Sequence, residues 1–248
     1  MHAGRIVRGA MGLVIVAGCA TAAPVSPPTQ RQTPGATETP GATATARPTD
    51  VGVLGARRVP GGGEIESGTY FVPMGPWTPA TFSFTMPAGW TAQNNGQTIS
   101  KHPDESGREV GWSVSIVDRL FAEPCGADDT IEVGRTADDL VAALLALPGP
   151  QAGAPMDITI GGRSGTRLDL TVPADLDVEA CDPPIGLQIW LDKSGTKYLV
   201  IGHELTSRVY TVDVDGGRFV LVAHPHPTAA PADITELEAI IESIRFEP

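Results

Sequence analysis

The stretch from residue 209 to residue 222, VYTVDVDGGRFVLV, is the part of the chain that predicts its fold most directly. β-branched and aromatic residues flank Asp215-Gly216-Gly217 on both sides, and before the turn Val212 and Val214 alternate with Asp213 and Asp215. A turn of this composition accepts the positive φ angles of a tight hairpin, and alternation predicts half-buried strands. We therefore expect two antiparallel strands here and a sheet built around them.

The rest of the C-terminal part repeats this pattern. A second hairpin is predicted where residues 157–160 run into Gly161-Gly162 and residues 166–172 follow. Further strands are predicted at 81–86, 110–117, 185–191 and 197–201. The short spacing between strands and the two tight turns favour antiparallel pairing.

Two segments have helical spacing of apolar residues. Residues 137–147 follow Thr136, a good N-cap, and residues 234–244 follow Asp233 with Glu236 placed as in a capping box. Because strands outnumber helices, we expect an α+β fold in which a single antiparallel sheet carries two main helices.

The N-terminus has the features of an export signal. Residues 1–18 carry two arginines followed by a short apolar run, too short to span a bilayer. The run ends in Val16-Ala17-Gly18-Cys19, which resembles the bacterial lipobox. The resemblance implies acylation of Cys19 and cleavage before it, with the lipid bilayer as a partner and the extracytoplasmic face of the cell membrane as the location. An ordinary secretory signal cleaved near residues 20–23 is the alternative.

Composition divides the mature chain in two. Residues 19–63 are rich in Ala, Thr, Pro and Gly, with TPGAT at 33–37 and again at 39–43, so we expect a disordered tether. Residues 64–248 contain the predicted strands and helices and form the expected globular head. The formal net charge of −12 argues against nucleic acid as a partner.

The chain has three cysteines. Acylation of Cys19 would leave Cys125 and Cys181, which in an oxidising compartment predict one disulfide. Two free thiols or a redox pair is the alternative, although the chain has no C-x-x-C motif.

The pair His224-Pro225-His226-Pro227 is the best metal candidate, because two imidazoles two residues apart can reach one ion. No third ligand is near in sequence; His203 could approach only through folding. We therefore expect a solvent loop and no metal or cofactor, with His224 and His226 as weak candidates.

Two other patterns have simpler explanations. The acidic run Asp175–Glu179, followed by Asp182, lacks the spacing of an EF-hand, so we expect a solvated edge or a loop pinned by the disulfide rather than a calcium site. Gly162–Gly165 (GRSG) lies between two predicted strands, so we expect a hairpin turn there rather than a nucleophile elbow.

The four tryptophans are the candidates for an exposed carbohydrate platform. Trp112 and Trp190 lie in strand patterns and are expected in the core, whereas Trp77 lies between Pro76 and Pro79 and has no strand pattern around it.

The head also resembles a known fold. FSFTMPAGW at 82–90 and SIRF at 243–246 resemble the opening and ending of the Mog1/PsbP-like sandwich, and with residues 136–140, 158–162 and 213–216 they resemble exported domains of actinobacterial type. The resemblance implies a sandwich without common catalytic residues.

No catalytic constellation is visible, so we expect a non-enzymatic head that binds a small molecule or a protein or serves the envelope structurally. The alternatives are an extracytoplasmic hydrolase acting on envelope polymers and a metal-capturing lipoprotein.

Overall fold

The computed structural model describes residues 55–247 except 77, 102–109, 127–128, 182–185, 193–194, 196 and 202–204, and only the backbone of 197–201. Seventeen strands and two α-helices lie in these residues. The helices are α1 (Ala137–Leu145) and α2 (Pro231–Glu242). The strands, in chain order, are β1 (Arg57–Arg58), β2 (Gly63–Ile65), β3 (Gly68–Val72), β4 (Phe82–Met86), β5 (Trp90–Gln93), β6 (Thr98–Lys101), β7 (Val110–Ser115), β8 (Arg119–Phe121), β9 (Thr130–Glu132), β10 (Gln151–Ala152), β11 (Met156–Ile160), β12 (Arg163–Thr171), β13 (Leu187–Leu191), β14 (Lys197–Ile201), β15 (Thr206–Val214), β16 (Gly217–Pro225) and β17 (Arg245–Phe246).

These strands form three sheets, so the expectation of a single sheet is wrong. The central sheet has the order β10-β12-β15-β16-β7-β6-β5-β2, with β11 pairing beside β10 along β12. A second sheet has the order β1-β3-β4-β17, and a third has the order β14-β13-β8-β9. All described pairs are antiparallel except β1 with β3. The coarser prediction, a sheet-rich α+β fold with two α-helices, agrees with the described residues.

The hairpin from which the fold was predicted lies at the centre of the large sheet. Val209 pairs with Val222 and Val214 with Gly217, and the turn residues Asp215 and Gly216 have φ angles of 47° and 82°. Positive φ at both central residues is the signature of a type I′ turn, whose twist matches that of the flanking strands. The second predicted hairpin joins β11 to β12 through two glycines that also have positive φ.

The side chains of β16 show why the central sheet is covered on both faces. Phe219, Leu221 and Ala223 belong to one hydrophobic core, whereas Val220 and Val222 belong to another. Because neighbouring side chains of a strand point to opposite faces, a strand that is apolar at every position must be covered on both.

One core is rich in aromatic residues, and we call it the aromatic core. Its rings come from the second sheet and the central sheet, and α2 packs against β4 and β7 to close it. Phe82 lies 5.1 Å from Phe219 and 6.3 Å from Trp112 between ring centroids, and Phe84 meets Trp112 edge to face at 5.1 Å. These contacts join the two sheets face to face.

The opposite face carries a second core, which we call the aliphatic core. Leu168, Val209 and Val222 line it from the central sheet, and Leu140 and Leu144 line it from α1. The third sheet adds Trp190, whose Nε1–H donates to Ser115 Oγ at 3.0 Å. The head is therefore layered on both faces of its central sheet.

Helix α1 begins as predicted. Thr136 caps it, since its Oγ1 accepts from the N–H of Asp139 at 3.1 Å while the Asp139 carboxylate accepts from the N–H of Thr136 at 2.9 Å. The helix ends two residues before the predicted Leu147.

Helix α2 differs from prediction at its start. It begins at Pro231 rather than residue 234, after Ala230, which offers no side-chain cap. Asp233 and Glu236 both bind Lys101, the former at 2.8 Å, so the predicted capping box is replaced by an ion pair to β6.

The folded head also begins earlier than residue 64. Ala56 and Val59 are buried, and the N–H of Val59 donates to the Phe71 carbonyl at 3.1 Å. Composition assigned residues 56–63 to the tether, but in the structure the folded head begins at Ala56. Among the described residues, no helix is long and apolar enough to cross a membrane.

Candidate functional site

A polar row crosses the face of the central sheet that carries the aliphatic core. Gly111 of β7 pairs with Ser100 of β6 on one side and with His224 of β16 on the other. Ser207 of β15 continues the row, with its Oγ 3.4 Å from Nδ1 of His224. The row brings together residues that lie up to 124 positions apart, from Ser100 to His224.

A cleft of about 310 Å³ opens over this row. Its volume lies at the lower end of the range of small-molecule sites in proteins. The indole of Trp112 packs against Phe84 in the aromatic core. We therefore infer that Trp112 lines the cleft with main-chain atoms. The cleft is lined by Thr98, Gly111, Trp112, Leu205, Thr206, His224, Pro225 and His226.

Gly111 is required at the floor of the cleft. A Cβ at this position would lie 2.9 Å from the Ile99 carbonyl oxygen and 3.0 Å from the Ser100 Cβ. The chain therefore has no room for a side chain between Ser100 and His224. Ser100 is itself buried, and its Oγ has no hydrogen-bond partner in the part of the chain that the structure describes.

His224 is held as a neutral ring. Protein surrounds most of the imidazole, and this burial lowers its pKa to about 4. At neutral pH the side chain is therefore uncharged, and one ring nitrogen is a donor and the other an acceptor. Ser207 contacts Nδ1 of His224 through its hydroxyl, but it is only 1% exposed and does not line the cleft.

His226 is oriented by its own loop. Its Nδ1 accepts the main-chain N–H of Thr228 at 3.2 Å, and the Thr228 hydroxyl lies 2.9 Å from the same atom. Because Nδ1 accepts a hydrogen bond, we assign the ring N–H to Nε2. His226 therefore brings one N–H donor to the cleft wall.

The interpretation of His224-Pro225 as a solvent loop is wrong. Strand β16 runs to Pro225, so His224 lies within the sheet and Pro225 is buried. Only His226 and the residues after it leave the strand. The structure thus brings the two weak metal candidates to one cleft, although sequence reasoning placed both in the loop.

The two imidazoles do not by themselves form a metal centre. Across residues 55–247, omitting the gaps given above, no three His, Cys, Asp or Glu side chains are grouped as a metal would require. Nδ1 of His226 is already bound to Thr228. His203, the third ligand considered from the sequence, lies outside the described residues.

Ser207 and His224 form the pair that a serine hydrolase would need, but in an unsuitable setting. The hydroxyl is buried behind the imidazole, so a substrate in the cleft would meet His224 first. The lowered pKa makes His224 a weak base at neutral pH.

The cysteines and the acidic run lie away from the cleft and serve the aliphatic core. Cys125 and Cys181 form a disulfide across a sequence separation of 56 residues, with their Cα atoms 4.6 Å apart. Asp177 accepts the N–H of Glu179 at 3.1 Å and starts a 3₁₀ turn whose Val178 packs into that core. The exposed carboxylates of the run are solvated; Asp182 lies outside the described residues.

The other sequence candidates are structural. Trp90, Trp112 and Trp190 are buried, and Trp77 lies outside the described residues. The GRSG segment forms the turn between β11 and β12 and the start of β12, as predicted.

A second depression, of about 240 Å³, is organised by Arg218. Its guanidinium donates to the carbonyls of Val117, Gly134 and Thr136, so it fastens the start of α1 to the sheet. Burial lowers the pKa of Arg218 from its ordinary value, partly offset by the Asp139 and Asp213 carboxylates. Both terminal nitrogens of Arg218 are thus already used for structure, so we assign no ligand to this depression.

Sequence reasoning missed Thr98, Gly111, Thr206 and Ser207. None belongs to a motif, and each is an ordinary strand residue in isolation. Only the register that pairs β6, β7, β15 and β16 places them together.

Comparison with known proteins gives a distant similarity only. No family model matches the chain, and no curated protein matches it. Among solved structures it is similar to LpqN, a protein involved in cell envelope biogenesis of Mycobacterium tuberculosis, with 15% identity and a TM-score of 0.39. The match covers 74% of this chain and 93% of LpqN. No residue role is transferred on that similarity.

Proposed function

We propose that the protein is a lipoprotein of the extracytoplasmic membrane face whose head binds a small ligand without transforming it. The N-terminal signal with its lipobox at Cys19, the Pro/Thr-rich tether and the disulfide support the location. A head held away from the bilayer by a long tether suits capture of a ligand from the surrounding envelope.

The observation that carries the binding role is the cleft over the polar row. If this face of the sheet had only a structural role, apolar side chains could cover it completely, as they cover the opposite face in the aromatic core. Here the face instead carries Gly111, Ser100 and two imidazoles below an open volume of about 310 Å³. Concave sites with an apolar wall and a few polar groups are typical of ligand binding.

The anchor is tested by metabolic labelling with an alkyne palmitate analogue in an actinobacterial host. We expect the wild-type chain to be labelled and to sediment with membranes, and Cys19→Ser to be unlabelled and released. A Cys19→Ser protein that remains labelled and membrane-bound would overturn the lipid anchor.

The binding role is tested by mass spectrometry of small molecules that copurify with the protein from that host. Thr206→Trp places a large ring on the cleft wall, and Thr85→Trp makes the same change at an exposed position of β4 outside the cleft. We expect a bound species in the wild type and Thr85→Trp that is absent from Thr206→Trp. The same species in all three proteins, or none in any, argues for a protein-contact or structural role of the head.

The hydrolase alternative has the Ser207–His224 pair in its favour. We expect no labelling of Ser207 by a fluorophosphonate reagent, because the hydroxyl is buried. Labelling that disappears in Ser207→Ala would favour the hydrolase instead.

The metal alternative has the two imidazoles in its favour. Calorimetric titration with Zn²⁺ and Cu²⁺ is expected to give no binding heat. Heat in the wild type that is lost in the His224→Ala/His226→Ala variant would favour metal capture.

A further inference from the structure

We infer that the cleft selects an uncharged ligand with an apolar body and an oxygen that accepts a hydrogen bond from an imidazole N–H. This inference rests on the proposed function, because it specifies the chemistry of a ligand at the same site. It excludes carboxylates, phosphates and amines as the main ligand class.

The chemistry of the described cleft wall is the first argument. Among the residues that the structure describes, the eight that line the cleft include no Asp, Glu, Lys or Arg. A charged ligand would lose its hydration on entering and meet no partner of opposite sign among these eight residues.

Among the described residues, Lys101 does not change this, although its strand β6 also carries Thr98 of the cleft wall. Its side chain lies on the face of the aromatic core with Ile99 and is bound by Asp233 and Glu236. The cluster is occupied by its own ion pairs.

The orientation of the histidines supplies the second argument. Nδ1 of His226 accepts from Thr228, which leaves Nε2–H as a donor. Nδ1 of His224 faces Ser207, and the ring is neutral at the pH of the envelope. A ligand oxygen can accept from Nε2–H of His226 without a formal charge being buried.

The size and the remaining lining limit the body of the ligand. About 310 Å³ has room for about ten groups of the size of a water molecule. Leu205, Pro225 and the methyl groups of Thr98 and Thr206 offer apolar contact at the wall. An aromatic amide, ester or ketone of about ten non-hydrogen atoms fits this description.

The experiment compares four probes that share a phenyl ring and similar size. They are 2-phenylacetamide, phenylacetate, 2-phenylethylammonium and butylbenzene, which differ in charge and in the presence of an acceptor. Binding is followed by ¹⁵N-edited NMR of the full Cys19→Ser chain, with Thr206→Trp and Thr85→Trp as blocked and matched control proteins.

We expect 2-phenylacetamide to bind in about the millimolar range, as is usual for fragments, with shifts around His224 and His226. The two charged probes and butylbenzene should bind at least several-fold more weakly. Thr206→Trp should abolish the shifts, and Thr85→Trp should keep them.

His226→Asn tests the donor separately. The Asn amide can keep the contact with Thr228 but cannot supply Nε2–H. We expect this variant to bind 2-phenylacetamide and butylbenzene with similar affinity. An unchanged preference for the amide in His226→Asn would overturn the assigned donor.

The outcomes separate this inference from the proposed function. Tighter binding of phenylacetate or 2-phenylethylammonium at the cleft overturns the inferred ligand class but supports a ligand-binding head. If no probe binds and no small molecule copurifies with the native protein, both are overturned.

Discussion

The two faces of the central sheet are closed in different ways. On one face, aromatic rings from two sheets interlock, with centroid distances of 5.1–6.4 Å, and α2 covers them. On the other, branched aliphatic side chains pack under α1 and a third sheet, and a disulfide fastens the covering loops. This second cover stops at the polar row through Gly111 and His224, where the cleft opens.

This difference teaches where function can be placed on such a sheet. The same strands supply both faces, because successive residues alternate between them. In β7, Trp112 and Val114 fill the aromatic core while Gly111 and Ser113 face the other side. Along β7 the cover from the third sheet reaches Ser115, which binds Trp190, whereas the cleft lies at Gly111 near the other end of the strand.

The largest effect should come from breaking the aromatic face. Phe82 is fully buried and contacts the rings of Phe84, Trp112 and Phe219. We expect Phe82→Ala to lower the free energy of unfolding by about 4–5 kcal/mol, because it removes apolar contacts and leaves a cavity between two sheets. Urea unfolding measures the loss.

Leu170→Ala removes a fully buried side chain from the aliphatic face and serves as the comparison. Its loss should be smaller than that of Phe82→Ala. Equal losses would show that the two faces are packed with similar strength.

The second effect concerns the disulfide of the aliphatic face. Replacing Cys125 and Cys181 together by Ala should lower the free energy of unfolding by about 3–4 kcal/mol, since the bond closes a long loop in the unfolded chain. Thermal unfolding of the oxidised protein and the double variant measures this. A change below about 1 kcal/mol would mean that the loops are held by packing alone.

The third effect is a pH dependence at the edge of the aliphatic face. Burial lowers the pKa of His224 to about 4, below its ordinary value of 6.5. The unfolded chain therefore takes up this proton first, and the free energy of unfolding should fall as the pH decreases from about 6.5 towards 4. Down to about pH 4.5 we expect His224 to contribute about 2–3 kcal/mol of that fall.

Urea unfolding at pH 7.5 and 4.5 measures this contribution as the difference between the wild type and His224→Gln. Carboxylates titrate in the same range in both proteins and cancel in the comparison. A His224→Gln protein with the full wild-type dependence would contradict the assignment.

The smallest effect concerns the N-terminal cap of α1. This helix packs only on the aliphatic face of the sheet. Thr136→Ala removes the hydroxyl that accepts from Asp139, and we expect a loss of about 1 kcal/mol. Thr136→Ser keeps the acceptor and should lose much less. Chemical denaturation distinguishes the two variants.

The sequence determined the local elements, because their signals lie within a few residues. The turns at Asp215-Gly216 and Gly161-Gly162 need residues that accept positive φ, and Thr136 with Asp139 caps the adjacent helix. Such preferences act between near neighbours and can be read from the chain. The capping box predicted from Asp233 and Glu236 was wrong because both carboxylates bind Lys101, which is distant in sequence.

Only the tertiary structure decided the number of sheets and the position of the cleft. Three sheets were needed because β16 is apolar on both faces, and each face had to find its own cover. The polar row joins Ser100, Gly111, Ser207 and His224 through strand register, and none of these residues identifies its partners by sequence spacing. Register is selected by the packing of whole strands, so a site built across it exists only once the sheet has formed.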